Sequence, residues 1–170
     1  MIRKKSWKFR LFFIICYLLF LFIITFVGRT PALTPTAWLT PFGSFHRALA
    51  EHHTFIFWGL VANFMMMLPL GLLLAWGKGG WHLWQVLLCS AALSLAIETA
   101  QYFTRLGYFD VDDLLTNVWG AAAGGGICRS MWELLRGAET ERGPRWGIVA
   151  AGTIPFIAFL IFFLYFWSVI

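Results

Sequence analysis

The chain has 170 residues, of which 60% are hydrophobic, 19% are aromatic and only 12% are charged. A soluble domain of this size carries a larger share of charged residues, so the composition excludes an ordinary soluble globular protein and indicates an integral membrane protein. The net charge of +5 comes from basic residues beside apolar segments. That placement favours contact with anionic lipid and argues against nucleic acid as a partner.

Five apolar segments are long enough to cross a bilayer, which takes about 20 residues of helix. The first and last segments are the most apolar, whereas the middle three carry polar residues. We therefore predict an all-α fold, namely a polytopic transmembrane helical bundle with about five spans. The predicted spans are approximately Phe9 to Val27, Phe55 to Trp76, Trp84 to Tyr102, Leu114 to Met131, and Ile148 to Phe166.

The 13 lysines and arginines predict the orientation, because short cytoplasmic loops are enriched in positive charge. Ten flank one set of span ends and three flank the other, which favours an N-in, C-out topology. A basic start is also typical of secretory signals, but no clean cleavage site follows the first apolar run, so we expect an uncleaved anchor. The predicted cytoplasmic set is Arg3, Lys4, Lys5, Lys8, Arg10, Lys78, Arg129, Arg136, Arg142 and Arg145, and the predicted external set is Arg29, Arg47 and Arg105.

Residues 28–54 form the longest predicted external segment. Phe42, Phe45 and Leu49 recur there at helical spacing, which predicts a short helix lying in the membrane interface. A solvated helix is also favoured over a metal or proton site, because the spacing of its ionisable residues matches no established ligand motif. Those residues are His46, Glu51, His52 and His53. The connection at residues 132–146 mixes acids with arginines and is predicted to be a solvated connector.

Small residues and a proline shape the second and fourth predicted spans. Pro69 removes one backbone hydrogen bond and is expected to bend its helix. Gly120 and Gly124 lie four residues apart, a spacing that lets two helix backbones approach closely. We therefore expect the fourth span to pack tightly against a neighbour.

Polar residues recur at helical spacing near the external end of the third span. Glu98, Gln101 and Arg105 follow an i, i+3, i+7 spacing, so they share one face if the helix continues to Leu106. An ionised carboxylate alone in the bilayer costs on the order of 3 kcal/mol or more. Glu98 is therefore expected to be paired, protonated or close to water.

A second polar face follows on the next segment. Asp113 and Asn117 lie four residues apart and Asp110 lies three residues before Asp113, whereas Asp112 points to a different face. The short connection between the two helices makes them antiparallel neighbours whose polar faces can meet in the outer leaflet. Asn63 of the second span lies at a similar depth and is expected to join them.

Several interpretations fit this polar cluster. Its members can form a hydrogen-bonded clasp that holds three helices in register, or they can line a pocket for a ligand from the outer leaflet. A Mg²⁺ or Ca²⁺ site built from oxygens of Asp110, Asp113 and Asn117 is a third possibility. The predicted ligand-binding residues are Glu98, Gln101, Arg105, Asp110, Asp113, Asn117 and Asn63.

Familiar enzyme signatures do not occur in the sequence. It contains no phosphate-binding glycine loop, no serine nucleophile elbow and no two-histidine helix motif. We therefore predict no catalytic residue, metal or other cofactor. The alternative is an intramembrane lipid-modifying enzyme that uses Glu98 with Asp110 or Asp113 as acid and base.

Two stretches, "NFMMMLPLGLLL" and "LSLAIETAQYFTRLGYFDVDDLLTNVWGAAAGG", resemble the VanZ-like family of small bacterial membrane proteins. The similarity is best over residues 63–125. It predicts a VanZ-like membrane domain over residues 1–147, followed by an additional C-terminal transmembrane helix over residues 148–170. The positions that carry the family pattern are Asn63, Pro69, Gly71, Glu98, Gln101, Arg105, Asp110, Asp113, Asn117, Gly120 and Gly124.

The resemblance implies a location more than a mechanism. The family's namesake is associated with lowered susceptibility to teicoplanin, a lipid-tailed glycopeptide antibiotic that acts at the outer face of the bacterial cytoplasmic membrane. By resemblance, the expected partners are membrane lipids together with a lipid-linked cell-wall precursor or a lipoglycopeptide. The sequence does not determine the oligomeric state.

Overall fold

The computed structural model describes residues 3–77, 80–139 and 143–169. In these ranges the chain forms six helices and two very short strands, so the predicted helical bundle is confirmed, with a small sheet that the all-α prediction lacked. The elements are α1 (Arg3–Phe26), β1 (Ala37–Trp38), α2 (Gly43–Ala50), α3 (Thr54–Ala75), α4 (Leu83–Thr104), β2 (Phe109–Asp110), α5 (Val111–Ala138) and α6 (Trp146–Val169).

Within the described ranges, α1, α3, α4 and α6 are the 4 helices long and apolar enough to cross a membrane. Helix α5 contains the fourth predicted span and is longer, at 28 residues, but its glycine and polar residues make it less apolar. It lies between α3, α4 and α6. Neighbouring helices therefore cover much of its surface, and a helix enclosed in this way does not need a continuous apolar surface toward lipid.

Glycines bring α3 and α5 into backbone contact. A Cβ atom at Gly120 would overlap the carbonyl oxygen of Phe64, and one at Gly124 would overlap that of Leu68. Gly71 of α3 lies equally close to the α5 backbone. The structure therefore confirms the close packing predicted from the spacing of Gly120 and Gly124 and identifies α3 as the partner.

Helix α6 is packed into the same bundle through aromatic rings. Phe159 stacks on Phe64 and Phe166 stacks on Phe57, each pair with ring centroids 3.5 Å apart. These rings belong to a buried cluster that also includes residues of α2. The C-terminal helix is thus part of one hydrophobic core with α3 and α5.

The small sheet joins two connections at one end of the bundle. Strands β1 and β2 pair in parallel, with Ala37 opposite Phe109 and Trp38 opposite Asp110. The backbone N–H of Ala32 also donates to the carbonyl of Arg105 over 2.8 Å. The segment between α1 and α2 is therefore fixed across the α4–α5 connection, above the polar faces of α4 and α5.

Candidate functional site

A cavity of about 910 Å³ lies at this end of the bundle, between α1, α3, α4, α5 and the segment that contains β1 and α2. All seven predicted ligand-binding residues line it: Glu98, Gln101, Arg105, Asp110, Asp113, Asn117 and Asn63. The structure adds polar lining residues that the sequence did not indicate, namely Thr25, Arg29, Thr30, Ser44 and Arg47. The seven predicted residues, which span positions 63 to 117 of the sequence, thus meet in one cavity.

The polar faces of α4 and α5 meet as expected. Glu98 is only 2% exposed, and its Oε2 accepts a hydrogen bond of 3.1 Å from the backbone N–H of Asp110. One turn deeper, Asn117 donates through Nδ2 to the hydroxyl of Ser94 over 2.9 Å. These contacts pair earlier residues of α4 with later residues of α5, which is the antiparallel arrangement that the short connection predicted.

Helix α3 completes the cluster through Asn63. Its side-chain amide hydrogen-bonds with the carboxyl group of Asp113, and both residues are half-buried. The buried Glu98 and Asn117 and the half-buried Asp113, on the α4 and α5 side of the cavity, are called the floor below.

Asp110 has both carboxylate oxygens engaged. Its Oδ1 accepts from the backbone N–H of Asp112 over 2.9 Å and so caps α5, while its Oδ2 accepts from the hydroxyl of Ser44 over 2.8 Å. A side chain at this capping position commonly makes such a bond. Asp110 therefore lines the cavity while its carboxylate positions α5 and α2.

Asp112 holds the N-terminus of α2 although the sequence assigned it no function. It is fully buried, and its two carboxylate oxygens accept the backbone N–H groups of Phe42 and Ser44, each over 2.6 Å. Phe42 stands at the capping position of α2 and has no side-chain oxygen to fill it. The only sign of this contact in the sequence is that Phe42, at the start of the helix, cannot supply a cap itself.

Arg105 is not on the helical face predicted for it. Helix α4 ends at Thr104, and Arg105 adopts a left-handed conformation with φ of 61° that turns the chain toward β2. Its guanidinium donates to the carbonyl of Leu33 over 3.4 Å. The expectation that α4 continues to Leu106 is therefore wrong, although Arg105 still lines the cavity.

Three arginines surround the opening of the cavity, and Arg29, Arg47 and Arg105 are called the rim below. Arg29 and Arg105 are exposed, whereas Arg47 is half-buried with its guanidinium 4.0 Å above the ring of Trp38. Among the described residues, none of the three forms an ion pair with a carboxylate. The rim cations and the floor carboxylates thus share one cavity without neutralising each other through contact.

The geometry gives the magnesium or calcium interpretation no added support. In the part of the chain that the structure describes, no three His, Cys, Asp or Glu side chains form a group able to hold a metal ion. Of the proposed oxygen ligands, those of Asp110 are already engaged. The histidine segment near α2 shows only an exposed pair, His46 with Glu51, at 3.9 Å.

At the opposite end of the bundle, Glu133 corrects the prediction of a solvated connector. Helix α5 extends into this region as far as Ala138, and the buried Glu133 carboxylate pairs with Arg136 at 2.8 Å and with Arg145 at 2.9 Å. These hydrogen bonds hold the pKa of the Glu133 carboxyl well below its usual range. The cluster anchors the start of α6 to the end of α5.

Comparison with known proteins adds one finding to this geometry. No curated protein and no solved structure gives a significant match. The family model described as VanZ/LLP1 matches residues 12–135, which include every residue that lines the cavity. This match covers well over half of the chain and, with the apolar helices, indicates a membrane protein. The chain belongs to the VanZ/LLP1 family.

Proposed function

We propose that this is a multi-pass protein of the bacterial cytoplasmic membrane with five spans, its N-terminus inside and its C-terminus outside. The positions of basic residues support this orientation. Arg10 donates to the Trp76 carbonyl and Arg129 to the Trp81 carbonyl, each over 3.4 Å, so these two basic residues lie at the end opposite the cavity. Two members of the predicted cytoplasmic set, Lys78 and Arg142, lie outside the described residues. In this orientation the cavity faces the outer leaflet.

We further propose that the cavity binds the polar part of an amphiphile, either a lipid-linked envelope component or a lipoglycopeptide. The main support is that the carboxyl groups of Glu98 and Asp113 line one cavity with three arginines and form no ion pair with them. A clasp made only for packing would gain stability by pairing these charges, because unpaired ionisable groups at membrane depth are costly. Their separation leaves acidic and basic groups available to a ligand.

The structure suggests distinct tasks for the cavity residues. Glu98, Asp113 and Arg105 would bind polar groups directly, as would the rim arginines that the structure adds. Asn63, Gln101 and Asn117 would shape the cavity through hydrogen bonds. Asp110 would act by fixing Ser44 and the start of α5.

Expression in a susceptible bacterial host tests the lipoglycopeptide form of the proposal. We expect the wild-type protein to raise the inhibitory concentration of teicoplanin more than that of vancomycin. Glu98→Gln and Asp113→Asn keep the side-chain shape and an acceptor oxygen but replace the carboxyl group by an amide, so each should lose most of the protection.

Glu51→Gln is the matched control, because Glu51 is exposed and lies outside the cavity lining. It should protect as well as the wild type. Full protection by either cavity variant, at wild-type abundance in the membrane, would contradict the residue assignment. Absence of selective protection by the wild type would remove the lipoglycopeptide and leave the lipid-linked component as the ligand.

A further inference from the structure

The cavity presents opposite chemistry at its two levels. The floor offers the carboxyl groups of Glu98 and Asp113, whose oxygens accept hydrogen bonds. The rim offers three guanidinium groups, which donate in a planar fork suited to phosphate. A ligand that satisfies both levels carries hydrogen-bond donors at one end of its polar group and an anionic group at the other.

Two buried oxygens beside the cavity also lack partners. Within the described ranges, Asn117 Oδ1 and Thr25 Oγ1 accept or donate no hydrogen bond, and both residues line the cavity. A buried polar atom without a partner costs about 1–3 kcal/mol, so native proteins rarely leave one without a reason. Oδ1 can only accept, and a donor group brought to the floor would satisfy it.

Small residues border the cavity between α1 and α3. The two helices meet at Tyr17, whose hydroxyl donates to the carbonyl of Met66. Nearer the cavity end, Gly28, which follows α1, and Gly59 of α3 line the cavity, and a Cβ atom added at either position would have no neighbour within 4 Å. Exposed Ala62 continues this small-residue edge. The cavity is therefore open on its side, toward the region that lipid chains occupy around a membrane protein.

We infer that the ligand is a phosphate-containing lipid whose headgroup also carries hydroxyl or amino donors, and that it enters sideways between α1 and α3. The phosphate lies at the rim, the donors reach the floor, and the hydrocarbon chain leaves past Gly59. This inference rests on the proposed function. A glycerophospholipid and a polyprenyl-phosphate-linked sugar share this chemistry.

Photocrosslinking tests the headgroup. The purified full-length protein is placed in phosphatidylcholine nanodiscs with a trace of a lipid that carries a photoactivatable chain. Phosphatidylethanolamine, phosphatidylglycerol and a polyprenyl-phosphate-linked sugar contain phosphate and donors. Phosphatidylcholine contains phosphate without donors, and a glycosyl diacylglycerol contains donors without phosphate.

We expect at least one of the first three probes to label the cavity about tenfold more than either control lipid. Each control lipid lacks one of the two headgroup features, and about tenfold is the effect of losing one charge-assisted hydrogen bond. Preference between the glycerophospholipids and the polyprenyl probe identifies the source of the ligand. Equal labelling by all five probes would overturn the headgroup inference. If all five probes label equally but Glu98→Gln abolishes their labelling, the proposed binding function stands without the headgroup inference. If Glu98→Gln leaves the labelling unchanged, the result contradicts both the proposed function and the headgroup inference.

The entry route is tested with side chains added at Gly59. Gly59→Ala and Gly59→Leu fill the open space at Gly59 in two steps and should reduce labelling progressively, with about a tenfold loss for leucine. Gly147→Leu is the matched control, because a Cβ at Gly147 also has open space but the residue lies on α6 outside the cavity. Thermal unfolding of each variant establishes that it is folded. Wild-type labelling in folded Gly59→Leu would overturn sideways entry.

Discussion

Replacing Gly124 by leucine is expected to prevent assembly of the bundle. A Cβ atom at this position would overlap the carbonyl oxygen of Leu68, and backbone atoms of a packed helix cannot move aside as a flexible side chain can. Overpacking of a core costs about 1–3 kcal/mol in ordinary cases, and we expect a loss at or above the upper end of that range. Heat-induced loss of monodisperse protein, followed by fluorescence-detected size-exclusion chromatography, measures the effect.

Two further variants calibrate this result. Gly124→Ala adds only the overlapping methyl group and should fall between the wild type and the leucine variant. Gly147→Leu adds the same side chain at an open position and should unfold at the wild-type temperature. If Gly124→Leu unfolded at that temperature too, the contact between α3 and α5 would be wrong.

Asp112→Ala is expected to release α2 from α5. The substitution removes the acceptors for the backbone N–H groups of Phe42 and Ser44, which lose two charge-assisted hydrogen bonds of 2.6 Å. Each such bond contributes about 1.5–3 kcal/mol, so we expect a loss of about 3 kcal/mol or more. Hydrogen exchange should accelerate across residues 37–50, and ligand binding should weaken because this segment covers the cavity.

Glu51→Ala provides the comparison for this variant. Glu51 immediately follows α2, but its pair with His46 is exposed and contributes little. Its exchange rates should match those of the wild type. Unchanged protection of residues 37–50 in Asp112→Ala would show that the buried carboxylate does not hold α2.

Local periodicity in the sequence predicted the helices and part of the cavity lining. Glu98, Gln101, Asp113 and Asn117 lie on the faces that their spacing indicates, and the short α4–α5 connection forces those faces together. The glycine spacing in α5 likewise predicted a close contact. Which helix packs against these glycines depends on how the whole bundle is arranged, and a local sequence pattern carries no information about that arrangement.

Long-range contacts explain the errors. Asp112 caps a helix whose first residues lie 68 to 70 positions away, so its role is invisible in its own segment. Arg105 continues the helical spacing of α4, yet pairing of the following β2 with β1 accompanies a left-handed turn at that residue. Glu133 was predicted to be solvated because one of its two partners, Arg145, lies beyond the end of α5 and just before α6.

Native mass spectrometry of the purified full-length protein tests whether the floor and rim residues bind one amphiphile. The wild-type protein, extracted in mild detergent, is predicted to retain one lipid-sized adduct per chain. The double variant Glu98→Gln with Asp113→Asn should lose that adduct while the Glu51→Gln control keeps it. An adduct of the same mass and occupancy in the double variant, or a bare wild-type chain under conditions that preserve its fold, would contradict this binding.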